Sequence, residues 1–322
     1  MKKTILFILF TFLTFMSITA LAQASDKHEE NGFSARIEAG AIWINTTDQL
    51  IVNDKNEKTD NLNDEADSFN ITLPAVMFDL RYKFRDTDTK VYLATPLEES
   101  GIALTLGLTQ TFIDKSKLDL AVFSKIMAQA WKDPYIVGVV RDDTNIKDVG
   151  FTVDYNHILD TGLNLYYGYN LVDVDEDVIG TRFNDLKRDG IIHTTGFGYM
   201  IALDESNIII PGIEYSKANM DGESNSYNGY KIKLQYKRTK ENYIFNAFVS
   251  ADRKDYDKMH PIFNKTRDET EYSAIAIFTL LNPFGYDKFF TNFIAGYSYS
   301  NSNITFFDKR TYVSGITIGY NF

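Results

Sequence analysis

Apolar and polar positions alternate along most of this chain with a period of two. Val76, Phe78, Leu80, Tyr82 and Phe84 stand on one parity, and Met77, Asp79, Arg81 and Lys83 on the other. One face of such a segment is apolar or aromatic and the other mixed, as in a β-strand that separates two environments. Tyr230, Ile232, Leu234 and Tyr236 repeat the pattern against Lys231, Lys233, Gln235 and Lys237, and Leu163, Leu165, Tyr167, Tyr169 and Leu171 repeat it against Asn164, Tyr166, Gly168 and Asn170. Further copies run through 102–108, 149–155, 195–203, 243–251, 272–280 and 289–299. Pairing these segments predicts about fourteen antiparallel strands in an up-and-down transmembrane β-barrel. They fall near residues 33–45, 71–85, 89–95, 102–113, 117–128, 147–157, 163–172, 191–203, 207–217, 229–239, 242–252, 270–281, 288–300 and 308–322. Losing the short Val91 to Thr95 segment with a neighbour would leave about twelve.

The connections alternate in length, which fits the same fold. Segments near 86–89, 114–116, 157–162, 204–207, 238–241 and 282–288 are short and rich in turn residues such as Asp160-Thr161-Gly162. Those near 46–70, 129–147, 172–190, 217–228 and 253–269 are long and charged, as outer loops would be. A soluble sandwich also alternates. Here, however, Tyr and Phe recur at the ends of the apolar stripes, as girdles at two membrane interfaces do, while the opposite face carries Gly, Asn, Thr, Lys and Asp.

The N-terminus sets the compartment. Met1, Lys2 and Lys3 precede an apolar run from Thr4 to Ile18, and Ala20-Leu21-Ala22 and Ala22-Gln23-Ala24 offer small-x-small cleavage sites, the layout of a secretory signal peptide. The chain divides accordingly into a leader, 1–24, and a barrel, 25–322. No cysteine follows the leader, so it is not a lipoprotein signal.

At the other end Tyr312, Ser314, Ile316, Ile318, Tyr320 and Phe322 share one face, and the chain ends on that Phe. This resembles the terminal strand of Gram-negative outer-membrane proteins, and the resemblance implies that Ile318, Tyr320 and Phe322 form the signal read by the barrel assembly machinery. Lys90-Val91-Tyr92-Leu93-Ala94-Thr95-Pro96-Leu97 and Leu281-Asn282-Pro283-Phe284-Gly285 are similar to segments of a family of uncharacterised proteobacterial outer-membrane proteins, a domain of unknown function. The resemblance implies the outer membrane as location, with its lipid and lipopolysaccharide as surroundings. It brings no catalytic residues.

Composition narrows the function. With 33 Lys+Arg against 44 Asp+Glu the formal charge is −11, and losing Lys2 and Lys3 with the leader makes it more negative, so nucleic acid is excluded as a partner. By strand parity the lumen receives Arg36, Glu38, Asp79, Arg81, Lys83, Asp119, Lys125, Asp154, Glu214, Lys231 and Lys233. Rings of charge can set ion preference, and opposite signs on neighbouring strands can instead brace a barrel. The cluster Lys231, Lys233 and Lys237 points to anion preference only if Glu214 does not neutralise it. The segment Asn45 to Asn70 is the candidate for an internal constriction, with a surface loop as the alternative.

Chemistry elsewhere is sparse. Asp173-x-Asp175-x-Asp177 begins like a calcium loop but has Val178 at the sixth place and Asn184 at the twelfth, so no metal site is assigned. His193 and Thr195 stand on one face, a layout faintly similar to the His-x-Ser of outer-membrane lipid hydrolases, but Thr replaces Ser and no acidic partner is identifiable. His28, His157 and His260 lie apart from it, and no P-loop, G-x-S-x-G or H-E-x-x-H motif occurs. No enzyme activity or cofactor is expected. The reading is a channel for passive diffusion of small polar solutes. A loop-closed barrel with a surface role in adhesion, binding or envelope integrity is the alternative, and a lipid hydrolase the second.

Overall fold

The computed structural model describes residues 31–98, 101–126 and 128–322, so the leader expected at 1–24 lies outside the described residues. Fourteen antiparallel strands form one closed wall. They are β1 (Gly32–Thr46), β2 (Phe69–Lys83), β3 (Thr89–Ala94, continued after a break by Leu97–Glu98), β4 (Gly101–Thr111) and β5 (Lys117–Lys125, continued by Gln129–Trp131). Then come β6 (Asp143–Asn156), β7 (Leu163–Val174), β8 (Gly190–Tyr199, continued by Ile201–Ala202), β9 (Asn207–Met220) and β10 (Tyr227–Thr239). The last are β11 (Tyr243–His260), β12 (Lys265–Leu281), β13 (Phe289–Ser302) and β14 (Lys309–Asn321). Each strand pairs with its neighbours in sequence, and β14 returns to β1 from Arg36 opposite Asn321 to Thr46 opposite Thr311. The short Val91 segment is present as β3, which decides between twelve and fourteen.

Closure follows from where the apolar side chains point. The outward parity carries Val76, Leu106, Ile232, Ile316 and Ile318, all exposed, whereas the inward parity carries Thr46, Asn246, Thr279, Asn292 and Thr317, all buried. An apolar exterior around a polar interior is the reverse of a soluble barrel and is stable only in lipid. Aromatic rings mark both edges of the belt. Phe289, Tyr320 and Phe322 meet edge to face at 4.8 Å between successive centroids at the end where β1 begins and β14 stops, the terminal-bearing end of the wall, and Tyr297 and Tyr312 meet at 4.9 Å at the other. No described helix is long and apolar enough to cross a membrane.

The short turns lie at the terminal-bearing end and use residues with positive φ, including Asp86, Lys115, His157, Asn282 and Lys288, where Asn and Asp tolerate the left-handed conformation best. At the outer end the expected boundaries change. The segments 217–228 and 253–269 are not long loops. β9 and β10 reach Met220 and Tyr227, while β11 and β12 continue to His260 and Lys265. The outward face of this extension bears Arg253 and Asp255, joined by a 3.0 Å hydrogen bond, so it stands above the hydrocarbon. The pairing persists while the apolar stripe stops.

Phe290 packs flat over the inner face of β14 and lies under the Arg36 guanidinium, 3.8 Å from the ring centroid. A Cβ on Gly319 would stand 2.0 Å from Phe290 Cζ. Replacing a strand glycine by alanine ordinarily stabilises. Here Gly319→Ala is expected to cost about 1–3 kcal/mol through overpacking, read as a lower midpoint of heat-modifiable gel mobility. An unchanged or raised midpoint would show that Phe290 yields without strain.

Candidate functional site in the lumen

The inner face is polar on most strands, and its charges are paired both within a strand and between neighbours. Arg36 lies 3.5 Å from Glu38. Asn292 Nδ2 and Thr317 Oγ1 each donate to Glu38 Oε2 at 2.8 Å, and Thr279 Oγ1 donates to Asn292 Oδ1 at 2.7 Å. Arg81 donates twice to Asp79, at 2.8 and 2.7 Å, a two-point pairing that fixes both side chains. Tyr92 Oη donates to Asp119 Oδ1 at 2.7 Å, Thr109 donates to the other oxygen, and Asp154 stands directly across from Asp119 in the ladder. Lys125 is ion-paired to Asp148. Lys83 and Lys90 face each other at the terminal-bearing end.

On the opposite wall Lys233 is ion-paired to Glu214, and Lys231, opposite both Glu214 and Asp252 in the ladders, is buried like them. Glu214 thus meets the lysine cluster that the sequence left open, and the condition for a one-sided basic ring is not fulfilled. Charges of both signs at neighbouring positions brace the wall.

The outer mouth is covered. Ile304, Phe306 and Phe307, between β13 and β14, pack with Leu50 and Leu62 of the first outer loop (47–68), Tyr135 of the third (132–142) and Phe263 between β11 and β12. His260 sits among them, its ring 4.8 Å from Phe263, 5.0 Å from Tyr135 and 5.7 Å from Phe307. The Ile262 N–H donates to His260 Nδ1 at 3.3 Å, so the neutral ring carries its proton on Nε2, 3.0 Å from Tyr135 Oη. Burial, and secondarily the charge of Arg267, holds the His260 pKa down to about 3. Burial pushes the Tyr135 hydroxyl up to about 12. Beneath the cap the Arg267 guanidinium lies 3.6 Å from the Tyr256 centroid and 4.0 Å from that of Phe307, and Tyr256 Oη donates to Glu269 at 3.1 Å.

One arginine ties the loops together. Arg141 is buried over the Trp131 ring, 4.5 Å from its centroid, and donates to the carbonyls of Gln49 (3.2 Å), Pro134 (3.0 Å) and Asn56. The first loop therefore turns partly inward, with Ile51 buried against Ile42, Ile44, Phe69 and Ile71, which makes the Asn45 to Asn70 segment part of the closure rather than a free surface loop. In the fourth loop, Asp177 caps the short helix α1 (Val178–Arg182) by accepting from Gly180 N, and it also binds Arg188, while Asp175 pairs with Lys147. These carboxylates are thus engaged by protein donors.

His193 lies on the membrane side. Its Nδ1 is 2.8 Å from Tyr167 Oη and its ring meets Tyr169 edge to face at 5.4 Å, so it belongs to the outer aromatic girdle. His157 occupies a turn at the terminal-bearing end. Sequence reasoning missed Tyr135, Arg141, Phe263, Phe306 and Phe307. The available signal was the presence of paired aromatics within short polar connections, where solvent exposure alone would disfavour them.

A closed antiparallel barrel with an apolar belt and two aromatic girdles is a Gram-negative outer-membrane β-barrel. The chain belongs to the family described as proteins of unknown function DUF2860, matched across residues 32–321. Among solved structures it is similar to a FadL homologue of Pseudomonas aeruginosa, at 11% identity over 90% of each chain with a TM-score of 0.44. It is also similar to the monoaromatic hydrocarbon channel CymD, at 9% identity over 94% of this chain and 92% of that one, TM-score 0.46. LpxR from Salmonella typhimurium matches at 15% identity over 68% of this chain and 88% of that one, TM-score 0.41. These likenesses concern architecture. No curated protein matches the sequence.

The cap carries an acid dependence. In the unfolded or opened loop His260 titrates near 6.5, and in the packed cap near 3. Between these values the open state holds a proton that the closed one lacks, so closure is fully favoured above pH 6.5 and weakens as the pH falls towards 3. Protease nicking of the outer loops is expected to rise over that window and to lose its pH dependence in His260→Phe.

Proposed function

We propose that this protein is an outer-membrane channel for passive diffusion of small polar solutes, with its outer mouth held shut by its own loops. The observation that supports this reading most is an inner face that is polar on most strands, charge-balanced by pairs such as Lys233–Glu214 and Arg81–Asp79, beneath a cap held by side-chain packing and one arginine. Water-filled passage needs such a lining, and a cap without covalent closure can open. Selectivity in this reading comes from lumen width and the local balance of Arg36, Glu38, Asp119, Asp154, Lys231 and Lys233. In the envelope its partners are outer-membrane lipid and lipopolysaccharide around the belt, and the barrel assembly machinery at Ile318, Tyr320 and Phe322.

The cap also favours a second reading, a permanently closed barrel that acts through its acidic outer surface in adhesion or envelope integrity. Single-channel recording separates the two. The refolded wild-type chain is expected to show low and sporadic conductance. Arg141→Ala strips a charged donor from three carbonyls, at a cost on the order of 3 kcal/mol, and is expected to give steady openings. In that open background Glu214→Gln leaves Lys233 without its carboxylate and moves selectivity towards anions. A fully folded Arg141→Ala barrel that stays silent would leave the closed-barrel reading standing.

A further inference from the structure

The cap closes only the outer mouth. At the terminal-bearing end the lumen is bounded by short turns, and the inward side chains there keep contact with water. Asp79 and Arg81 retain 19% and 24% of their side-chain surface, and Thr109, Asp119 and Asn156 are half-buried. One step above that rim two carboxylates face each other. Asp119 follows Lys117, where β5 begins, and Asp154 precedes Asn156, where β6 ends, each by two residues, and the two aspartates are direct partners in the ladder. The pair therefore stands about 7 Å from the ends of its strands, within reach of a solute entering from that side.

These two aspartates differ from the other inward charges. Arg81 is held by Asp79, Lys125 by Asp148 and Lys233 by Glu214, whereas among the described residues no Lys or Arg lies within ion-pair distance of Asp119 or Asp154. That includes Lys117, the next inward residue on β5. The charges acting on Asp154 are those of Asp119 and Glu214 against Lys233, so acid outweighs base around it. Asp119 Oδ1 accepts from Tyr92 Oη at 2.7 Å, and its Oδ2 from Thr109 Oγ1. Asp154 keeps only 6% of its surface and, among the described residues, accepts no hydrogen bond. An ionised carboxylate offers about four acceptor sites, so Asp119 has some left and Asp154 has all of its own. Like charges directly opposite in a ladder repel, and a carboxylate withdrawn from water without a donor is costly. A cation between the two removes both penalties.

The kind of cation follows from the donors and acceptors present. Among the described residues no group of three His, Cys, Asp or Glu is placed to hold a metal ion, and two carboxylates replace too little of a metal ion's water shell. A primary ammonium has three N–H donors and needs only as many acceptors. It also carries an apolar stem. Tyr166, opposite Asp154 on β7, lies over Gly168, where an added Cβ would stand 2.5 Å from the Tyr166 Oη and 3.1 Å from its Cζ. An aromatic ring beside the carboxylates suits both the stem and the charge of such a group.

We infer that Asp119 and Asp154 form a binding subsite for the primary ammonium of a small amine solute, entered from the terminal-bearing end. The ammonium donates to both oxygens of Asp154 and to Asp119, and the stem lies towards Tyr166. The inference rests on the channel reading for its role and gives that channel a solute class.

The test is saturation-transfer difference NMR of ethylammonium chloride with the refolded wild-type barrel in detergent micelles. Saturable transfer to the ethyl protons is expected. Asp119→Asn and Asp154→Asn should each weaken binding by about tenfold or more while keeping heat-modifiable mobility, as the loss of a charged hydrogen-bond acceptor implies. Glu223→Gln, which removes an acidic group paired with Lys258 on the outer extension, should leave it unchanged. No saturable transfer in the wild type, or undiminished binding in Asp154→Asn, would overturn the inference. Two further arms use the wild-type chain alone. Potassium chloride should compete only in large excess, and displacement at equal concentration would defeat the ammonium assignment. Dicyclohexylcarbodiimide attacks protonated carboxyls, and ethylammonium should protect Asp154 from it. Modification at the same rate with and without ethylammonium would show that the pair holds a proton in place of a ligand, which equally defeats the proposal. None of these readouts depends on conductance, so a silent channel and an empty subsite are separate failures.

Discussion

Every backbone N–H and C=O that enters hydrocarbon must find its partner within the protein, and this requirement organises the whole molecule. It forces the sheet to close, β14 onto β1, and it makes strand parity the master variable, since each residue must face either lipid or lumen. The apolar belt and the paired charges inside follow from that single division. So does the use of short turns at one end, where six hairpins need only reverse direction.

Inside the barrel, electrostatics and packing share the load differently with height. At the membrane level opposite charges neutralise each other on strands that are already fixed, so pairs such as Arg81 with Asp79, two residues apart on β2, and Lys233 with Glu214 on neighbouring strands cost little ordering to make. Above the membrane, where the outer loops meet, the cap relies on rings and on cations laid over them. Arg267 between Tyr256 and Phe307, and Arg141 over Trp131, are planar cations that stack and donate at once. Lysine could not do both in the same place. The cap is therefore held by geometry more than by charge, which suits a surface that is acidic overall.

Much of the wall was legible in the sequence because membrane and lumen impose opposite chemistry on adjacent residues. The short β3 could be read from Val91 to Thr95. The outer extensions were not legible, because once β11 and β12 leave the hydrocarbon their outward residues become Arg253, Asp255 and Asp257 and the apolar period vanishes while the pairing continues. The cap was hidden for another reason. Tyr135, Phe263 and Phe306 meet only through tertiary packing between distant loops, and no spacing in the chain announces such a meeting.

The cap is built from segments near residues 50, 135, 263 and 306, stitched by Arg141. What the cell shows to its surroundings is thus a mosaic, whose tiles come from four distant stretches of chain and hold their places only together. A bacteriophage tail fibre or an antibody raised against the folded barrel would grip a shape that no linear peptide of this protein reproduces. A change in any one loop would redraw the outline presented by the others.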